Sequence, residues 1–185
     1  GRNISFKQLV KEKTAGKQNY CYTIKNDGSL GISLVLNPRL TQKQATVVKV
    51  TLDNNQVITC TPNHEFMLRN GEYIHAKDLK AVYSLMPLRR KISRIDKKIT
   101  ISGYELVFDP GQNHWIFTHM LADKYNLEQG KYTTDQGDHR HHINFHKLDN
   151  NPTNLIRLSK ADHLKLHYEI LASTIHRPDV KAKMA

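Results

Sequence analysis

Cysteine is scarce in this chain. Cys21 and Cys60 are the only two among 185 residues. Two thiols cannot build a four-cysteine zinc site, and no disulfide is expected between them in a reducing compartment. Any bound metal is therefore expected on histidine, asparagine or carboxylate. Long apolar runs are missing as well. No stretch approaches the ~18 consecutive apolar residues of a membrane-spanning helix. Neither a signal peptide, a lipidation signal nor a basic amphipathic helix is visible. An intracellular, cytoplasmic protein without a membrane partner is expected. Acidic residues are in the minority, with 17 Asp and Glu against 28 Lys and Arg and a net charge of +11. Such a surplus calls for a polyanionic partner, and nucleic acid is the commonest.

What is present in the first half is a series of short strands. Ile4 to Val10 fits one helical turn against a core, and Lys11 to Asn19 reads as a basic loop. Tyr20 to Ile24 and Leu30 to Leu36 flank the turn signal Lys25-Asn26-Asp27-Gly28. Cys21, inside the first of these strands, reads as a core residue. Ala45 to Leu52 and Gln56 to Thr61 form a second hairpin around Asp53-Asn54-Asn55. Phe66 to Leu68 and Glu72 to Ile74 form a third, with Asn70-Gly71 suited to a type I′ turn. A brief helical turn is expected over Ala76 to Leu79.

Thr59-Cys60-Thr61-Pro62-Asn63-His64-Glu65-Phe66, followed by Arg69-Asn70-Gly71 and Ala76-Lys77-Asp78-Leu79, resembles the second conserved block of inteins and hedgehog-type autoprocessing (Hint) domains. Ser84-Leu85-Met86-Pro87-Leu88 resembles the segment that ends this half of the fold before an endonuclease insertion. The likeness spans about the first 90 residues. It implies that Thr61 and His64 polarise a scissile peptide in an amide-to-thioester shift. No Cys or Ser nucleophile stands at the start and no His-Asn pair closes the chain at Lys183-Met184-Ala185. A splicing-type site that this stretch does not complete alone is therefore expected.

Arg89, Arg90, Lys91, Arg94, Lys97 and Lys98 form a basic run between the halves. It reads either as a solvated linker or as a segment that tracks phosphates. Ile99 to Phe108 fits a strand pair or one bent strand, and Asp109 to Asn113 a turn. His114 to Asn126 has helix-compatible apolar spacing. His119, near its start, reads as a packing or capping histidine.

The densest chemistry lies between Asp138 and His167. Asp138-His139-Arg140-His141-His142 opens it, and Asp149-Asn150-Asn151-Pro152-Thr153-Asn154-Leu155 closes a loop. A helix then starts at Ser159, with Asp162 three residues on in a capping-box arrangement. Leu164, Tyr168 and Leu171 read as its core-facing stripe. His163 and His167, four apart, share an adjoining face. The order is strand, loop, strand, helix.

This order, with His141-His142, Asn154 and His163 at the matching positions, resembles the HNH (ββα-metal) nuclease motif. The resemblance implies a divalent cation on His141 and His163, with His167 as an optional ligand. It makes His142 the general base and Asn154 the brace of the loop. Mg²⁺ or Mn²⁺ is the expected cofactor, with Zn²⁺ as a further choice. Double-stranded DNA is the expected partner, with Arg140 added to the basic run as a DNA-binding residue. A complementary intein fragment or host protein is a second partner class. Ile175 to Lys181 reads as a loop entering another helix.

An α+β chain follows from these readings: a mainly β Hint-like half domain over residues 1–91, then an HNH domain over 92–185 with its ββα core at about 138–172. The expected activity is metal-dependent hydrolysis or nicking of double-stranded DNA by an intein-associated homing endonuclease. Two other readings stay open. One is a splicing-module fragment whose HNH domain is inactive or only binds DNA; the other is a histidine-rich zinc clip that merely stabilises a small domain.

Overall fold

The structure, a computed structural model, describes residues 3–175. The expected loop and helix from Ile175 to Lys181 lie outside the described residues, apart from Ile175 at a helix end. The fold is mixed α and β, mainly small antiparallel sheets with three α-helices among the described residues. No described helix is long and apolar enough to cross a membrane.

The N-terminal segment is more helical than the sequence suggests. Helix α1 runs Phe6–Thr14, where Ser5 Oγ accepts from Gln8 N at 3.1 Å. Its last turn carries Lys11 and Lys13, which suit the negative end of a helix. Capping and dipole thus extend the helix into the expected loop. It buries no residue fully: Ile4, Leu9 and Val10 are half-buried, while Phe6, expected beside them, is 83% exposed.

Three hairpins follow: β1 (Tyr20–Ile24) with β2 (Leu30–Leu34), β3 (Val48–Thr51) with β4 (Val57–Cys60), and β5 (Glu65–Met67) with β6 (Tyr73–His75). All three turn by one device. Gly28, Asn55 and Gly71 each donate back to the carbonyl three residues earlier, and each is left-handed, at φ 78°, 64° and 92°. A turn closed by a left-handed residue gives the bulged three-residue loop. The expected type I′ turn would need Asn70 left-handed as well, and of the pair only Gly71 is. Cys21 is exposed, because it points away from the face that Tyr20 and Tyr22 turn inward.

Strands β7 (Arg90–Ile92), β8 (Glu105–Asp109) and β9 (His114–Phe117) form a three-stranded sheet in that order. The strand expected over Ile99 to Phe108 is confined to β8, and the residues before it loop around buried Ser93, whose Oγ accepts from Tyr104 N at 3.0 Å. The helix expected from His114 begins later. His114 to Phe117 pair with Asp109 to Leu106 as β9, and α2 runs Thr118–Glu128. Aromatic and β-branched residues at 115–117 favour pairing on the open edge of β8. Helix α2 buries Thr118, Leu121, Ala122, Asp123 and Asn126 on one face, a mixture of polar and apolar groups.

The last unit is β10 (His139–His142) paired with β11 (Leu155–Leu158), followed by α3 (Lys160–Ile175). The main core joins Leu30 and Ile32 of β2, Val107 of β8, Leu121 and Ala122 of α2 and Leu155 of β11. Contacts therefore run across the expected division at 91/92, and β7 straddles it. Gly111 marks a second tie between the halves: a Cβ there would lie 2.2 Å from the Gly28 carbonyl oxygen. The stripe Leu164, Tyr168 and Leu171 does not face the core; these side chains are 47%, 69% and 53% exposed. Helix α3 turns its histidines to the hairpin instead.

Candidate metal centre and its surroundings

Strand alternation decides what each residue of β10 can reach. His139 and His141 lie on the side of α3, where their rings come within 5.2 and 5.3 Å of the His163 ring. Arg140 and His142 lie on the side of α2.

On the first side, His141, His163 and His167 each offer a ring nitrogen, and these atoms all lie within 4.8 Å of one another. His163 and His167 are one helical turn apart on α3, which Ser159 caps. Ser159 Oγ accepts from Asp162 N at 3.1 Å and donates to the Asp162 carboxylate at 2.6 Å. His141 is buried and its Nε2 has no hydrogen-bond partner. An orphaned, buried imidazole nitrogen facing two others fits a soft or borderline divalent cation. Burial, then His167, His163 and His142, press the His141 pKa down to about 4. Burial, His167 and His139 also lower that of His163. Both rings are neutral near pH 7, the form that binds metals.

On the second side, His142 is buried and its Nε2 lies 3.1 Å from Asn150 Oδ1. The Asn150 amide nitrogen faces the Leu148 carbonyl at 3.5 Å, which fixes the direction of the amide. An amide oxygen only accepts, so this orientation calls for the tautomer with the proton on Nε2 and the lone pair on Nδ1. Asn154, buried at the end of the loop, donates to Asn144 Oδ1 at 2.9 Å and to the Asp149 carbonyl at 2.8 Å. Its Oδ1 accepts from Asn144 N at 3.0 Å. Asn154 thus braces the loop, while the side chain within hydrogen-bond distance of the His142 ring is Asn150.

Asp123 of α2 anchors the hairpin from the same side. It is buried and accepts from Arg157 at 2.8 and 2.6 Å, from Arg140 at 3.1 Å and from Tyr132 at 2.9 Å. Arg140 and Arg157 stand directly opposite each other in the ladder. Two guanidinium groups in that register repel unless a carboxylate lies between them. Arg140, expected on DNA, is half-buried and engaged by Asp123 and by the Asp138 carbonyl at 2.8 Å.

No protein-family model and no solved structure matches the chain. A curated relative does. The B component of DNA gyrase from Synechocystis sp. is 54% identical to it over 184 residues, 99% of this chain. The chain spans 17% of the length of that relative.

The remaining expected site residues are scattered. Thr61 and His64 form one turn, His64 N donating to the Thr61 carbonyl at 3.0 Å, with the His64 ring against Phe66. Arg90 is engaged by Glu105 at 3.2 Å and by Asn3 at 2.7 Å. Lys91 Nζ sits 4.1 Å over the Trp115 ring, and Arg89 sits 5.9 Å over Phe108. Arg94, Lys97 and Lys98 are exposed on the loop before β8. Sequence reasoning missed Asn150 and Asp123, while His119 packs among rings as expected, against Tyr104, Phe117 and His142. That ring lies 5.9 Å from His142, and its Nδ1 is buried without a partner. Asn150 stands in a run of three Asx residues, and nothing in the pattern separates it from its neighbours.

Proposed function

We propose that the chain is part of an intein-encoded HNH homing endonuclease carried within a DNA gyrase B, its first 90 or so residues belonging to the splicing element. The observation that carries this reading is the meeting of His141 with His163 and His167, their nitrogens within 4.8 Å, next to the oriented imidazole of His142. The high identity to a gyrase protein over a sixth of its length is what an insertion shared by two gyrases would give.

In this reading His141, His163 and His167 would hold one divalent cation: three imidazoles favour Zn²⁺ for binding, and Mg²⁺ or Mn²⁺ would serve turnover by filling the rest of its sphere with water and phosphate oxygens. Such an ion neutralises charge on the scissile phosphate and the leaving 3′-oxygen. His142 takes the proton of the attacking water at Nδ1, while Asn150 holds the ring and Asn154 the loop. The products are 5′-phosphate and 3′-hydroxyl ends. The substrate is duplex DNA, and the name of the relative suggests a gyrase B coding sequence without the insert. The net charge of +11 supports a DNA partner. The Thr61–His64 turn supports the splicing half.

The test is a nicking assay on a supercoiled plasmid bearing an uninterrupted gyrase B sequence, with Mg²⁺, Mn²⁺ or Zn²⁺ and with chelator. Metal-dependent nicking that His142→Ala abolishes while folding and DNA binding persist is expected. Equal nicking by that variant would remove His142 from the role of base. DNA binding without any nicking under every metal would favour a DNA-binding HNH domain. Absence of DNA binding, with a metal-dependent melting temperature, would favour a structural zinc clip.

A further inference from the structure

Phe145 sits at the tip of the loop between β10 and β11 in a conformation that side chains avoid. Its φ is 60°, in the left-handed region where glycine is the usual occupant. Bulky residues persist there only when their surroundings over-determine the backbone. Here the neighbours do so. Asn144 N is held by Asn154, Phe145 N donates to the His142 carbonyl at 2.8 Å, and His146 N donates to Asn144 Oδ1 at 2.9 Å.

The ring that this backbone presents lies at the edge of the metal centre. Its centroid is 4.6 Å from that of His141 and 5.4 Å from that of His167, both edge-to-face. Even so, Phe145 is 40% exposed. Ile143 and Leu148, on the same loop, are 48% and 38% exposed. The loop thus exposes three large apolar side chains, of which Phe145 lies against the histidines, on a chain of net charge +11. A buried filler would gain more from a relaxed backbone and a covered ring. An exposed apolar tip held rigidly at a phosphate-cleaving centre has the chemistry of side chains that enter the minor groove and open a base step.

We propose that Phe145 is such a wedge, entering duplex DNA beside the scissile phosphate and fixing the strand against the metal centre. This inference rests on the nuclease reading above. It makes Phe145 a substrate-contacting residue with no part in metal binding.

Phe145→Gly separates the roles, because glycine accepts the same backbone, and Phe145→Asn is a second variant that tolerates it. Duplex binding is measured in a His142→Ala background, which prevents cleavage, using a labelled duplex from the gyrase B sequence. Both variants are expected to melt no lower than the parent and to bind Zn²⁺ as tightly. Both should bind the duplex roughly tenfold more weakly or worse, the scale of a lost aromatic contact to a base. Phe145→Trp should retain binding. End-to-end energy transfer across the duplex should change on binding for the parent and not for Phe145→Gly. Unaltered duplex binding by Phe145→Gly overturns the inference. So does a Zn²⁺ affinity that falls in step with DNA affinity, which would make the ring a shield for the imidazoles. A parent that nicks DNA beside a Phe145→Gly variant equal to it sinks the wedge alone. A parent without metal-dependent nicking sinks the nuclease reading, and the binding comparison still decides the contact.

Discussion

His142 Nε2 and Asn150 Oδ1 face each other at 3.1 Å in the interior of the loop. The contact holds the ring and selects its tautomer. On the nuclease reading, Asn150→Ala is expected to lower the nicking rate about 10- to 100-fold, the scale seen when a metal-binding histidine loses the partner that orients it. Asn150→Asp keeps an acceptor oxygen and should retain more activity. The measurement is single-turnover nicking, with circular dichroism to show that the fold is intact.

Removal of His141 should weaken Mn²⁺ or Zn²⁺ binding by at least ~100-fold, the upper end for loss of an outer partner of such a ligand. His167→Ala should weaken it less, since His141 is buried while His167 is exposed at the rim. Titration calorimetry gives the order, and on the nuclease reading chelator should abolish nicking in the parent. Equal effects of the two substitutions would contradict the ranking.

Asp123→Ala leaves Arg157 and Arg140 facing each other without their carboxylate. Breaking a buried pair in this way costs about 3–5 kcal/mol. Urea unfolding should show a loss of that size. Replacing Arg140, whose Asp123 contact is longer at 3.1 Å than those of Arg157, should cost less.

Acid should destabilise the metal-free protein earlier than its carboxylates alone would. Burial, with His142 and Arg140 beside it and Asp123 opposing them, lowers the His119 pKa to about 4. The unfolded chain binds a proton at this histidine near pH ~6.5 and the folded chain does not until about pH 4. The stability that depends on neutral His119 is complete above that upper pH and falls as pH drops towards the lower one. Tyr104 also packs on this ring. His119→Phe should flatten the urea midpoints across that window. A midpoint profile as steep as the parent's would place the acid sensitivity elsewhere.

Hairpins are legible in the sequence because Asn26-Asp27-Gly28 and Asn70-Gly71 are turn chemistry at fixed spacing. The strand–loop–strand–helix order is legible for a similar reason, since Asn-Pro-Thr-Asn and Ser159 punctuate it. Spacing on the helix also pairs His163 with His167, whereas His141 is named by the resemblance to the HNH motif. What is not legible is which face each element buries. Trp115, Ile116 and Phe117 fit a helical period as well as a strand, and the free edge of β8 decides between them. Helix α2 hides Asp123 and Asn126 with its apolar residues, so a rule that puts polar groups outside misplaces them. In α3 the apolar stripe at Leu164, Tyr168 and Leu171 is left outside because the imidazoles take the hairpin side. Only the packing of β10 on both helices reveals that.

Leu30 and Ile32 come from the part of the chain that resembles a splicing element, yet they close the core beneath the histidine-bearing hairpin. A recombination event that moved only residues 92 onwards into another gene would leave behind two of the six buried residues of this core. The histidine-bearing unit would arrive with an open floor. Inheritance of its fold, on this packing, requires the N-terminal hairpin to travel with it.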